Sequence, residues 1–180
     1  MRSLAHKLLN YVGMQVGWFA SAMGAVWGMP LLGPLVVLIY LGGHLRLSRQ
    51  PKRELSLIAS VGLIGMGVDS LKKVTRLVEY ASDGDISFLA PLWIVGMWVL
   101  YATSLNGSLD WMRRKYPLAA ILGAIAGPTS YLAGERLGAV AFGHALAPTL
   151  IILALVWGSI VPLTAWLAER LTPQPARIEN

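Results

Sequence analysis

The sequence predicts an all-α membrane protein, a single bundle of about six transmembrane helices with both termini in the cytoplasm. Three observations lead there. Charged residues make up 13% of the 180 positions and hydrophobic ones 56%, against about 25% charged in an ordinary soluble domain. The charges are clustered, and between clusters lie apolar runs close to the ~20 residues a helix needs to cross a bilayer. Those runs are apolar all round, whereas a helix on a soluble protein shows polar residues along one face. Mean hydropathy is +0.60.

The first span covers about 8–27. Arg2 and Lys7 precede it as in a signal peptide, but its length and its Asn10, Gln15 and Trp18 favour retention over cleavage after Ala22 or Ala25. Gly28-Met29-Pro30 makes a tight turn, with Pro30 suited to a helix start. The second span is about 30–46, followed by a basic loop with Arg46, Arg49, Lys52 and Arg53. The third is about 55–80, apolar to Val68 and more polar beyond. Ser82-Asp83-Gly84-Asp85 signals a turn. The fourth is about 88–110, closed by Arg113-Arg114-Lys115. Pro117 opens the fifth, about 117–140, and the sixth is about 147–170. Residues 1–171 thus form one six-helix transmembrane domain, and 172–180 a short disordered cytoplasmic tail.

Orientation follows the distribution of Lys and Arg. With the N-terminus inside, eleven basic residues fall on the cytoplasmic side and four outside: Lys72, Lys73, Arg76 and Arg136. The net charge of +6 therefore reads as membrane orientation and contact with anionic lipid, not as nucleic-acid binding. Tyr11, Trp111, Tyr116 and Trp166 fall at inner ends, and Trp27, Tyr80 and Trp93 at outer ends, where amphipathic rings favour the headgroup layer. Trp18, Trp98 and Trp157 lie mid-span and read as packing residues.

Small residues recur every fourth position, at Gly13, Gly17 and Ser21 on the first span and at Ala119, Gly123 and Gly127 on the fifth. Such faces let backbones approach closely. There is no internal repeat of the kind that builds inverted-repeat transporters. With no cysteine, disulfides, thiolate metal sites and cysteine nucleophiles are excluded. His6, His44 and His144 lie far apart without metal-binding spacing, and no GxSxG elbow or Walker loop occurs. Asp83-Gly84-Asp85 is too short for a calcium loop. No metal and no cofactor is expected.

Polar groups within the apolar runs are the candidates for function, since each is costly in a bilayer. Asp69 lies in the outer half of the third span, with Lys72 and Lys73 at i+3 and i+4 on its face. Two roles fit: an intrahelical ion pair with lysines reaching to headgroups, or a proton or cation site. Glu135 and Arg136, neighbours that do not face each other, each need a partner elsewhere. Depth pairs Arg136 with Asp69 across the bundle. Gly127-Pro128 is expected to break the fifth span, either as a simple kink or as the wall of a polar cavity lined by Thr129, Ser130 and Tyr131. At the inner end, His44, Asn106, Ser108 and Asn10 share one depth. They fit interhelical hydrogen bonding or a pocket for a headgroup or small solute.

These residues carry a resemblance. Gly17-Trp18-Phe19, His44, Gly65 with Asp69-Ser70, Ala90-Pro91-Leu92-Trp93, Trp98, Leu105-Asn106, Ser108-Leu109 and Trp111 match one group. So do Gly127-Pro128, Ser130-Tyr131, Ala133-Gly134 and Arg136-Leu137-Gly138-Ala139. Over roughly residues 10–140 the chain resembles the bacterial inner-membrane family of domains of unknown function numbered 2878. Glu135 and Lys72-Lys73 lie outside the matching pattern. The resemblance implies a multi-pass protein of the bacterial inner membrane and no known activity. Its members' neighbouring genes for lipid-modifying enzymes imply a lipid-related accessory role.

The leading expectation is a non-enzymatic accessory protein that binds a lipid or lipid-like molecule. Its partners would be membrane lipids, and a lipid-modifying enzyme or other membrane subunit. A small-solute transporter, or the substrate-binding subunit of an importer, is the alternative, by analogy of size alone. A membrane enzyme acting on lipid, with Asp69 or Glu135 as acid or base, is the third.

Overall fold

Glycine and proline set the first helix boundaries. The first helix, α1 (Leu4–Val26), ends ahead of Gly28, whose φ of +70° lies in the left-handed region that only glycine enters without a steric penalty. The chain returns as α2 (Leu32–Leu47), and Pro51 opens α3 (Pro51–Val74). Next come β1 (Glu79–Tyr80), α4 (Leu92–Leu105), a 3-10 turn at Asp110–Met112, α5 (Tyr116–Arg136), β2 (Val140–Ala141) and α6 (Leu146–Leu171). This is a computed structural model, and it describes residues 4–82 and 88–173 without the side chains of Ala5 and His6. Most of the Ser82–Asp85 turn and the tail beyond 173 lie outside that description.

The fold is all-α, with six helices among the described residues. Helices α3, α5 and α6 are each long and apolar enough to cross a membrane, and α2 and α4 are shorter apolar helices. Helix α4 lies at the centre, with Trp93, Trp98, Leu100, Thr103 and Leu105 buried against α1, α2 and α3. Helix α5 packs chiefly on α6, and α6 in turn meets α3 and α4. The α5–α6 hairpin therefore docks on the first four helices mainly through α6.

Three helices end earlier than the sequence reading has them. Helix α3 stops at Val74 rather than near 80, and α5 at Arg136 rather than near 140. In both cases a left-handed residue turns the chain, Arg76 at φ 54° and Gly138 at φ 78°. The chain then runs into strands β1 and β2, which pair antiparallel with Tyr80 opposite Val140. Helix α4 is trimmed at both ends, because Pro91 holds extended backbone before it and the chain turns after Leu105 into Asn106–Ser108.

At Gly127-Pro128 the fifth span is not interrupted, and α5 runs through Pro128 as one helix. The reason is its contact with α6. A Cβ added at Gly123 would fall 2.4 Å from the Trp157 carbonyl, and one at Gly127 2.2 Å from the Trp157 ring. That close approach holds the helix together where the proline removes a hydrogen bond. The small-residue face on α1 works similarly, with Gly13 against Tyr40 of α2 and Gly17 against Leu100 of α4.

Candidate functional site

The outer polar centre is built on Asp69, which is 1% exposed. Its Oδ1 accepts hydrogen bonds from the hydroxyls of Tyr80 and Tyr131, each at 2.6 Å. The Lys72 ammonium lies 2.5 Å from the same oxygen. Oδ2 accepts the indole N–H of Trp98 at 2.5 Å. Helical spacing explains Lys72, since i+3 lies on the same face as Asp69. The other three donors come from β1, α5 and α4, so one carboxylate joins four elements. Lys72 also donates to the Tyr131 hydroxyl, and its ammonium sits 4.4 Å from the Tyr131 ring centre and 5.8 Å from that of Trp157.

An aromatic floor closes this centre. Trp98 and Trp157 stack with ring centres 4.9 Å apart and planes 6° from parallel, and Tyr101 meets both edge-on. Gly65 of α3 backs Trp98, where an added Cβ would come within 2.0 Å of the ring, and Gly127 of α5 backs Trp157. Dispersion and the ring quadrupoles favour this arrangement, and the glycines are what leave room for it.

The inner polar centre is a chain of smaller bonds. The buried Glu54 carboxylate accepts from the Asn106 amide at 3.0 Å. His44 Nε2 lies 3.5 Å from the same oxygen without making a hydrogen bond. The Arg113 guanidinium donates to the Asn106 side-chain carbonyl. It also reaches the end of α6, donating to the carbonyls of Ala168 at 2.9 Å and Thr172 at 3.1 Å and to the Thr172 hydroxyl at 2.7 Å. A cation at the C-terminal end of a helix is electrostatically favourable. Beside this chain, Asn10 Oδ1 accepts from the Ser108 N–H and hydroxyl, both at 2.9 Å, and its amide donates to Tyr40 at 2.7 Å.

The structure thus brings Asp69 together with Tyr131, His44 with Asn106 through Glu54, and Ser108 with Asn10. It does not bring Asp69 to Arg136. Lys72 holds the place the sequence reading gives to Arg136, because a cation on the same helix face needs no reach across the bundle. Lys72 is buried, at 3% exposure, and does not extend to headgroups, while Lys73 donates to the Leu89 carbonyl. Ser130, Glu135 and Arg136 are exposed. Thr129 bonds the Ile125 carbonyl of its own helix, so these hydroxyls line no closed polar cavity with Tyr131. Glu54, Arg113, Tyr80 and Thr172 escape the sequence reading. The first two lie in charged loop stretches that read as solvated.

A third feature opens sideways. Trp18 and Phe19 of α1 face Thr129, Leu132, Ala133 and Arg136 of α5, with Leu137 just beyond, across an open groove of about 510 Å³. Among the described residues Arg136 has neither a hydrogen-bond nor an ion-pair partner. Chemically, the outer carboxylate is satisfied by the protein's own side chains and the inner centre leaves His44 Nε2 beside Glu54 without a hydrogen bond, whereas the groove is apolar, open and carries one cation at its end. Neither the comparison with curated proteins nor that with solved structures finds a match. The family model described as "Protein of unknown function (DUF2878)" matches residues 7–163, from α1 into α6 and including Asp69, Tyr131 and Arg136, and the chain belongs to that family.

Proposed function

We propose that this is an inner-membrane protein with six spans and both termini in the cytoplasm, acting as a non-enzymatic accessory that holds a lipid or lipid-like molecule. Large apolar side chains cover the outside of the bundle, among them Ile39 at 78% exposed, Leu155 at 68% and Leu63 at 64%. An apolar exterior of that kind suits hydrocarbon, not water. The basic loop at Arg46–Arg53 and the Arg113–Lys115 turn support the cytoplasmic assignment of their side.

The α1–α5 groove carries the lipid reading. Its walls are apolar and aromatic, and it opens laterally where acyl chains would surround the bundle. The test is native mass spectrometry of the detergent-extracted protein. The expected result is a stoichiometric lipid adduct on the wild type that is lost from Ala133→Phe, in which the new ring fills the groove. An adduct retained at equal occupancy by folded Ala133→Phe excludes the groove as its site. A wild type that carries no lipid removes the reading itself.

A further inference from the structure

Resting on that lipid reading, we infer that the α1–α5 groove selects an anionic phospholipid and that Arg136 is the residue that recognises its phosphate. Arg136 is the last residue of α5, so its side chain leaves the helix at the depth where the apolar span gives way to the ribbon. It lines the groove together with Trp18, Phe19 and Leu132. Among the described residues, Arg136 is the charged side chain that lines the groove; Arg76 and Glu79 are exposed at the same end but do not line it. Lys72 is buried on Asp69, and Lys73 is bonded to Leu89. Glu135 is exposed but does not line the groove. Among the described residues the groove therefore presents one positive charge, and no negative charge that would receive the ammonium of a zwitterionic lipid.

The chemistry suits a phosphodiester. A guanidinium offers planar paired donors that match two phosphate oxygens. An acyl chain running from that headgroup would lie along Trp18, Phe19, Leu132 and Ala133. The Asp69–Lys72 pair gains a second meaning here. Because Asp69 takes its cation from its own helix, Arg136 is left for a ligand.

The experiment offers the purified protein an equimolar mixture of phosphatidylglycerol and phosphatidylethanolamine of matched chains and reads the retained lipids by native mass spectrometry. The wild type should retain phosphatidylglycerol in about fivefold preference, the scale of one basic side chain at an anionic lipid surface. Arg136→Gln should keep total bound lipid and bring the preference to about one. Arg136→Lys should keep most of it, since charge remains. Arg53→Gln, exposed in the first turn of α3 at the other end, should leave the preference unchanged. Equal retention of the two lipids by the wild type, an unaltered preference in Arg136→Gln, or an equal loss in Arg53→Gln overturns the inference while leaving lipid binding in place. A wild type without bound lipid overturns both.

Discussion

The two polar centres solve the same problem in opposite ways. At the outer end one carboxylate collects four donors, and an ion pair and an aromatic stack are built around it. At the inner end the bonds pass from residue to residue, from Glu54 through Asn106 and Arg113 to the end of α6, with His44 beside Glu54 and Asn10, Tyr40 and Ser108 alongside. Concentration makes the outer centre strong and brittle. Removing its carboxylate leaves a buried ammonium without its counter-charge and takes the acceptor from two phenols and an indole at once. Distribution makes the inner centre tolerant, because Arg113 and Thr172 still bond each other when Asn106 is gone.

The largest expected effect tests that contrast directly. Asp69→Ala leaves the Lys72 ammonium buried without its counter-charge, and should lower stability by about 3–5 kcal/mol, read as thermal unfolding in detergent. Asp69→Asn combined with Lys72→Met should recover most of the loss, as neutral replacements of a buried pair often do. A loss for Asp69→Ala no greater than that of an exposed site would sink the view of Asp69 as a hub. Gly65→Ala should come next, at about 2–3 kcal/mol, because the new methyl displaces Trp98 from its stack. Its signature is a shift in tryptophan fluorescence, which a merely local strain would not produce.

Asn106→Ala, the inner counterpart, should lower stability by about 1–2 kcal/mol through lost hydrogen bonds. If it equals Asp69→Ala, the inner centre is as concentrated as the outer one and the contrast fails. Tyr80→Phe removes a single donor to Asp69 and should cost about 1 kcal/mol, measured in the same melts. Glu135→Gln, exposed and without a partner among the described residues, should stay within about 0.5 kcal/mol of the wild type.

The parts legible in the sequence are those that depend on local pattern. Helix number and order follow from the apolar runs. The glycine faces of α1 and α5 follow from four-residue spacing. Asp69 stands out as a carboxylate within an apolar run, and Tyr131 as one of three hydroxyls that follow Pro128. What fails is the choice among partners. Depth and opposite charge allow both Lys72 and Arg136 for Asp69, and only the proximity of i+3 on one face decides between them. Glu54 follows Lys52-Arg53, and Arg113 precedes Arg114-Lys115, so each reads as part of a wet loop. Tertiary contact alone turns them inward. Strands of two residues, such as β1 and β2, are too short for any alternation to register.

The ribbon between β1 and β2 fastens the α5–α6 hairpin at one end, and the Arg113 contacts to Ala168 and Thr172 fasten it at the other. A segment tied at both ends cannot swing like a door. It can only bow, like a stave between two pegs. Pro128 in α5 and Pro162 in α6 each delete one main-chain hydrogen bond between the pegs, and they are where such a stave would flex.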